Sequence, residues 1–148
     1  MSQVIVKVKK LHPDVLMPQY SHPGDAGMDI YNMGEEVTLK PLSRALIPTG
    51  LKVAVPQGYE LQVRPRSGLA LKKGLTVLNT PGTIDAGYRG EVGVILFNSS
   101  GTEEAVIKKS DRIAQIVLKK VEEIQWQEVP DLDETSRNEG GFGSTGHR

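Results

Sequence analysis

The sequence predicts an all-β fold, a jelly-roll-like barrel or sandwich with one short helix, on three observations. First, 16 Gly and 9 Pro among 148 residues interrupt the chain too often for a bundle of long helices. Second, short runs rich in β-branched residues recur between these breaks, some of them alternating apolar with polar positions. Third, only Ser67 to Lys73 offers a helical start, body and stop in the right order, and it has room for about two turns.

The elements follow in chain order. Gln3 to Lys9 sets Val4, Val6 and Val8 against polar neighbours and predicts a first strand. Val37 to Leu39, Leu46 to Val55 and Glu91 to Phe97 predict further strands on their β-branched content. In the helical segment Ser67 is the expected cap, Leu69 and Leu71 favour helix, and Gly74 is expected to close it in a left-handed conformation. Arg112 to Trp126 supports two periods: Ile113, Val117, Val121 and Ile124 form a helical seam, while Ile116 and Leu118 fit a strand. After Trp126 the large apolar side chains are Val129, Leu132 and Phe142 alone. Residues 1–127 are therefore expected to form the core, and residues 128–148 a flexible tail.

Composition bounds the chemistry. A chain of 148 residues suits one domain. With 18 Lys plus Arg against 18 Asp plus Glu, no basic field exists to attract a nucleic-acid backbone, so no nucleic-acid partner is expected. No apolar run approaches the roughly 20 residues of a membrane helix, and MSQVIVKVKK alternates where a signal peptide is continuous. A cytoplasmic location without a membrane partner is expected. The absence of Cys, with only 3 His, excludes disulfides and thiolate chemistry and disfavours zinc. Carboxylates, hydroxyls and a hard cation remain.

Several residues have chemistry worth weighing on their own. Asp85, in a turn between two apolar segments, is either a structural acceptor or a general base. Tyr88 either covers the hairpin or packs against a ligand. Arg66 and Ser67, at the helix start, present a guanidinium fork and a hydroxyl to a phosphate. Gly140 to Gly146 places Phe142 among glycines and hydroxyls, which suits either a linker or phosphate capture. Arg112 reads as a surface or interface charge paired with a nearby carboxylate.

Five segments in order carry a resemblance. Ala26-Gly27-Met28-Asp29-Ile30, Pro65-Arg66-Ser67-Gly68-Leu69, Gly82 to Glu91, Arg112-Ile113-Ala114-Gln115 and Arg137 to Gly146 resemble the five motifs of the trimeric dUTPases, in particular the bacterial ones. The third and fifth are the most diagnostic. The resemblance implies a homotrimer whose C-terminal tail crosses to a neighbouring subunit, and hydrolysis of dUTP to dUMP and pyrophosphate, which limits uracil in DNA and supplies dUMP for dTMP. It implies that Asp85 activates the water that attacks the α-phosphorus and accepts the deoxyribose 3′-hydroxyl. The Tyr88 ring would lie under the deoxyribose, leaving no place for a ribose hydroxyl. The hairpin backbone, Thr83, Ile84 and Gly93 included, would read the uracil edge with support from Asn79. Arg66, Ser67, Gly68 and Gln115 would contact the phosphates, Arg137, Gly143, Ser144 and Thr145 would close over the terminal one, and Phe142 would stack on uracil.

A triphosphate substrate brings Mg²⁺, held chiefly by phosphate oxygens and water. Asp29 is the expected acceptor of a hydrogen bond from metal-bound water rather than a direct ligand. One departure from the family pattern is Asn138, where Gly is usual, and Asn is the residue after Gly that best tolerates positive φ. A silent nucleotide-binding protein and a dCTP deaminase of the same architecture are the alternatives, which the products of an assay separate.

Overall fold

Hydrogen-bonding partners decide where each strand begins and ends. The structure, a computed structural model, describes residues 2–147; Met1 and Arg148, the outermost residues of the expected core and tail, lie outside the described residues. The elements are β1 (Lys7–Lys10), β2 (Gly27–Tyr31), β3 (Val37–Leu39), β4 (Arg44–Ala54), β5 (Tyr59–Arg64), α1 (Ser67–Lys73), β6 (Leu75–Val77), β7 (Gly82–Ile84), β8 (Glu91–Asn98), β9 (Ala105–Ile107) and β10 (Arg112–Lys120). One four-stranded sheet has the order β1-β4-β8-β6, a second has β2-β10-β5-β7, and β3 pairs with β9. Every pairing is antiparallel. The main apolar core draws Ile47, Val94 and Leu96 from the first sheet, Ile30, Val63 and Ile113 from the second, and Leu39 and Ile107 from the ribbon, and Val15, Met33 and Leu51 form a second, smaller cluster. This is the jelly-roll-like sandwich that the sequence predicts.

Three sequence expectations shift. The first strand starts at Lys7 rather than Gln3. Lys7 lies opposite Ala54, so Ile5 would face Pro56, which has no N–H to donate. Second, α1 begins with Arg66 at the cap position and no side-chain cap hydrogen bond; Ser67 is its first helical residue instead. Gly74 closes α1 as expected, with φ 67° and its N–H donating to the Ala70 carbonyl. Third, the double period of Arg112 to Trp126 resolves as a strand, β10, which ends at Lys120. It is held on both sides, by β2 and β5, and the seam residue Ile124 is 72% exposed.

Two bulges shape the sheets. In β4 the register against β8 shifts between Pro48 and Lys52. Gly50 takes φ 71° there, and a Cβ on it would stand 2.5 Å from a Val15 methyl, so no other residue fits. The freed groups are satisfied by Thr49 Oγ1, which donates to the Val92 carbonyl at 2.6 Å, and by Glu91 Oε1, which accepts from Gly50 N at 3.1 Å. The second bulge lies in β10 between Arg112 and Ala114.

Buried polar side chains tie the loops to the core. Asn98 Nδ2 reaches the Leu39, Lys40 and Glu103 carbonyls at 3.1, 3.3 and 2.8 Å, and its Oδ1 accepts from Ser100 N at 3.0 Å. Asn32 serves the Glu35, Ile107 and Lys108 carbonyls in the same manner. Because Asn98→Ala strands buried carbonyls without a donor, a loss of about 3 kcal/mol in unfolding free energy is expected. Urea unfolding at fixed protein concentration measures it, and an unchanged midpoint would show that water replaces the amide.

Candidate active site

Asp29, Arg66, Arg112 and Gln115 converge on one face of the second sheet. Gln115 lies opposite Asp29 on β2 and Arg64 on β5, so these three side chains share a face. The bulge in β10 makes Ile113 the extra residue, which lets Arg112 pair with Tyr31 two residues beyond Asp29. Arg112 and Gln115, an odd number of residues apart, thereby reach the same face. Asp29 Oδ1 accepts from Arg66 Nε at 3.1 Å, and Arg112 Nε stands 3.6 Å from Oδ2. The Tyr31 side chain first, and Asp29 after it, hold the Arg112 guanidinium above its ordinary pKa. Gln115 Nε2 donates to the Pro65 carbonyl at 2.9 Å, next to Arg66 and Ser67. Gly68 follows inside α1, with open space where a Cβ would stand.

Asp85 occupies a second place. Thr83, Ile84, Asp85, Tyr88, Val92 and Gly93 line a cavity of about 190 Å³ at the β7–β8 connection, where the chain passes from the second sheet to the first instead of forming the expected hairpin. Tyr88 N donates to the Asp85 carbonyl at 3.1 Å, and the Tyr88 hydroxyl donates to the Glu91 carbonyl at 2.9 Å, so the ring crosses the end of this connection. A Cβ at Gly90 would collide with that ring, and one at Gly93 would stand 2.7 Å from Leu46 Cδ1. Gly82 packs closely on Val63 and the Asn79 amide, whereas Gly87 faces open space. Room for the Tyr88 ring, rather than positive φ, thus accounts for Gly90, while Gly82 makes ordinary van der Waals contacts and a Cβ at Gly93 would meet only the end of the exposed Leu46 side chain.

One chain does not join these two places. Ile84 lies opposite Leu61, which sets Asp85 level with Glu60 at the far end of β5 from Arg66. At about 3.3 Å per residue, the two lie on the order of 15–20 Å apart. In one copy the two places thus stand at opposite ends of β5.

The tail is exposed throughout residues 122–139 and makes local turns. Arg137 Nε donates to the Gly140 carbonyl at 2.7 Å. Asn138 adopts φ 46° and exchanges hydrogen bonds with Thr135 at 2.8 and 3.0 Å, so it takes the left-handed conformation that Gly would take. Phe142 is fully exposed, Gly143 has φ 83°, and Ser144 N donates to the Gly141 carbonyl at 3.1 Å. Ser144 and Thr145 are exposed beside these turns.

Among the described residues, no group of three or more His, Asp or Glu side chains is placed to hold a metal ion. Asp29 suits an outer role toward Mg²⁺. Two guanidinium groups beside it disfavour direct ligation, while its oxygens keep lone pairs for metal-bound water.

Arg112 pairs with a nearby carboxylate as the sequence predicts, and the structure identifies that carboxylate as Asp29. The signal for this was the apolar doublet Ile113-Ala114, which breaks an alternating strand and marks a bulge. No helix is long and apolar enough to cross a membrane among the described residues.

Comparison with known proteins agrees with the motif resemblance. The dUTPase family model matches residues 14–146. The deoxyuridine 5′-triphosphate nucleotidohydrolases of Syntrophotalea carbinolica and Fusobacterium nucleatum are 53% and 55% identical to this chain, each over 99% of both chains. A Staphylococcus bacteriophage 80alpha dUTPase mutant solved with dUpNHpp superposes with a TM-score of 0.86 at 29% identity, covering 97% of this chain and 99% of its own. A mutant dUTPase of phage phi11, whose structure concerns a structural Mg(II) ion, has a TM-score of 0.80 at 26% identity, over 88% of this chain and 100% of its own. From the sequence motifs, the jelly-roll sheets and these matches together, the chain belongs to the dUTPase family.

Proposed function

We infer that this chain hydrolyses dUTP to dUMP and pyrophosphate, with water attacking the α-phosphorus, and does so as a homotrimer. The observation that carries the reading is the cavity holding Asp85 beside Tyr88 in a chain whose family match runs almost end to end. Asp85 takes the proton of the attacking water and accepts the deoxyribose 3′-hydroxyl. The Tyr88 ring supports C2′ and leaves a ribose hydroxyl no room or partner. Thr83, Ile84 and Gly93 bring backbone to the uracil edge, with Asn79 behind the turn. Arg66, Ser67 and Gly68 meet the phosphates, with Gln115 beside them on the Pro65 carbonyl. Bound Mg²⁺ would neutralise the leaving pyrophosphate, with Asp29 accepting from its water shell.

The experiment offers the protein dUTP or dCTP with Mg²⁺ and identifies the products. Pyrophosphate and dUMP from dUTP are expected. Ammonia from dCTP would mean a deaminase, and no turnover of either would mean a silent binder.

Assembly is supported by two observations: the separation of Asp85 from Arg66 within one chain, and Ile124, Trp126, Leu132 and Phe142 standing exposed along the tail. A site completed by neighbouring copies brings Asp85 of one chain to Arg66 of another, and the tail, with Arg137, Phe142, Gly143, Ser144 and Thr145, closes from a further copy. Sedimentation is expected to show a trimer. A fully active monomer would overturn the assembly while leaving the reaction in place.

A further inference from the structure

Gly27 has a feature that its place in a strand does not require. Its φ is not positive, so its backbone suits any residue, yet a Cβ there would overlap Gln115 Oε1 and stand 3.2 Å from Gln115 Cδ. The Gln115 amide therefore occupies the space that a side chain on Gly27 would fill. The direction of this amide is fixed by chemistry. The atom 2.9 Å from the Pro65 carbonyl must be the NH₂ group, because a carbonyl oxygen only accepts. Oε1 then faces Gly27, and one of the two Nε2 hydrogens is spent on Pro65.

Pro65 opens the loop that delivers Arg66 and Ser67. On its other side that loop is held by Asp29, which accepts from Arg66 Nε at 3.1 Å and leaves the terminal guanidinium nitrogens free. Gln115 and Asp29 lie opposite one another across β10 and β2. They grip the loop at consecutive residues, one through the Pro65 carbonyl and one through the Arg66 side chain.

We propose that Gln115 is chiefly a positioning residue for the Pro65–Ser67 loop, and that Gly27, by giving its amide room, determines the affinity for a triphosphate without touching it. The inference rests on the reading of this chain as a dUTP hydrolase. It names the part of that site which selects for phosphate-chain length. A methyl at residue 27 pushes the amide off the Pro65 carbonyl, the loop loses one of its two ties, and Arg66 and Ser67 lose their aim. The nucleoside pocket at Asp85 counts neither Gly27 nor Gln115 in its lining and is unaffected.

The test compares wild type, Gly27→Ala, Gln115→Ala and the double variant. Each is titrated with the imidotriphosphate analogue of dUTP and with dUMP, in Mg²⁺, and its thermal midpoint is recorded. Each single change is expected to weaken the triphosphate analogue by about 10- to 100-fold while dUMP affinity stays within about twofold. The double variant is expected to be no weaker than Gln115→Ala, because the added methyl then meets nothing. Losses that multiply in the double variant, a harmless Gly27→Ala, or equal losses for both nucleotides would overturn the proposal. Should Gly27→Ala fail to fold, the Gln115→Ala comparison carries the test alone, and equal losses for the two nucleotides again overturn it. Pyrophosphate release from dUTP by the wild type judges the hydrolase reading separately.

Discussion

Asp85→Asn is expected to lower kcat by about 10²- to 10⁴-fold, the usual worth of a positioned general base, while binding of a non-hydrolysable dUTP analogue changes little. The amide keeps the shape of the carboxylate and a site for the 3′-hydroxyl, but offers no basic lone pair to water. Binding and chemistry therefore separate, as they do when an interaction made only in the transition state is removed. Asp85 is held by the turn between β7 and β8 through the Tyr88 N–H on its carbonyl, 3.1 Å away. This contact uses the backbone, so substitution of the side chain leaves the turn standing. Single-turnover kinetics beside an analogue titration give both quantities, and wild-type turnover by the variant would show that the base lies elsewhere.

Deleting Arg137 to Arg148 is expected to leave a folded protein of nearly unchanged thermal midpoint with activity down by about 10²-fold or more, the scale of a misplaced substrate. The tail buries almost nothing, and the Phe142 ring stands fully in solvent, so its removal costs the core no apolar contact. On the proposed reading its contribution is made only when a ligand is present: Arg137, Ser144 and Thr145 find the terminal phosphate, Phe142 finds the base, and together they offset the entropy of ordering a glycine-rich segment. The diphosphate dUDP, lacking that terminal group, is then expected to close the tail poorly. Phe142→Trp reports closure by fluorescence over Trp126, the one native indole. Equal signals from the triphosphate analogue and from dUMP, or full activity in the truncated chain, would exclude a lid.

The sequence by itself determined the fold class and the strands β1, β3, β4 and β8, because alternation and Gly/Pro breaks are local signals that tertiary packing did not overrule. Val37–Leu39 and the helix from Ser67 to Lys73 fall where it predicts them, and β8 extends the prediction by one residue to Asn98. The candidate chemistry-bearing residues were named from their types and order, which carry the family resemblance. What the sequence left open depends on partners distant along the chain. The first strand lost its start because β4 ends at Ala54 and the chain beyond it offers Pro56 at that point. Arg112 to Trp126 kept two periods in the sequence, and only the flanking β2 and β5 made it a strand as far as Lys120. The bulge at Ile113 placed Arg112 on the face of Gln115 and Asp29, and the space over Gly27 received the Gln115 amide. Register and side-chain room are properties of two strands together, so only the tertiary structure could decide them.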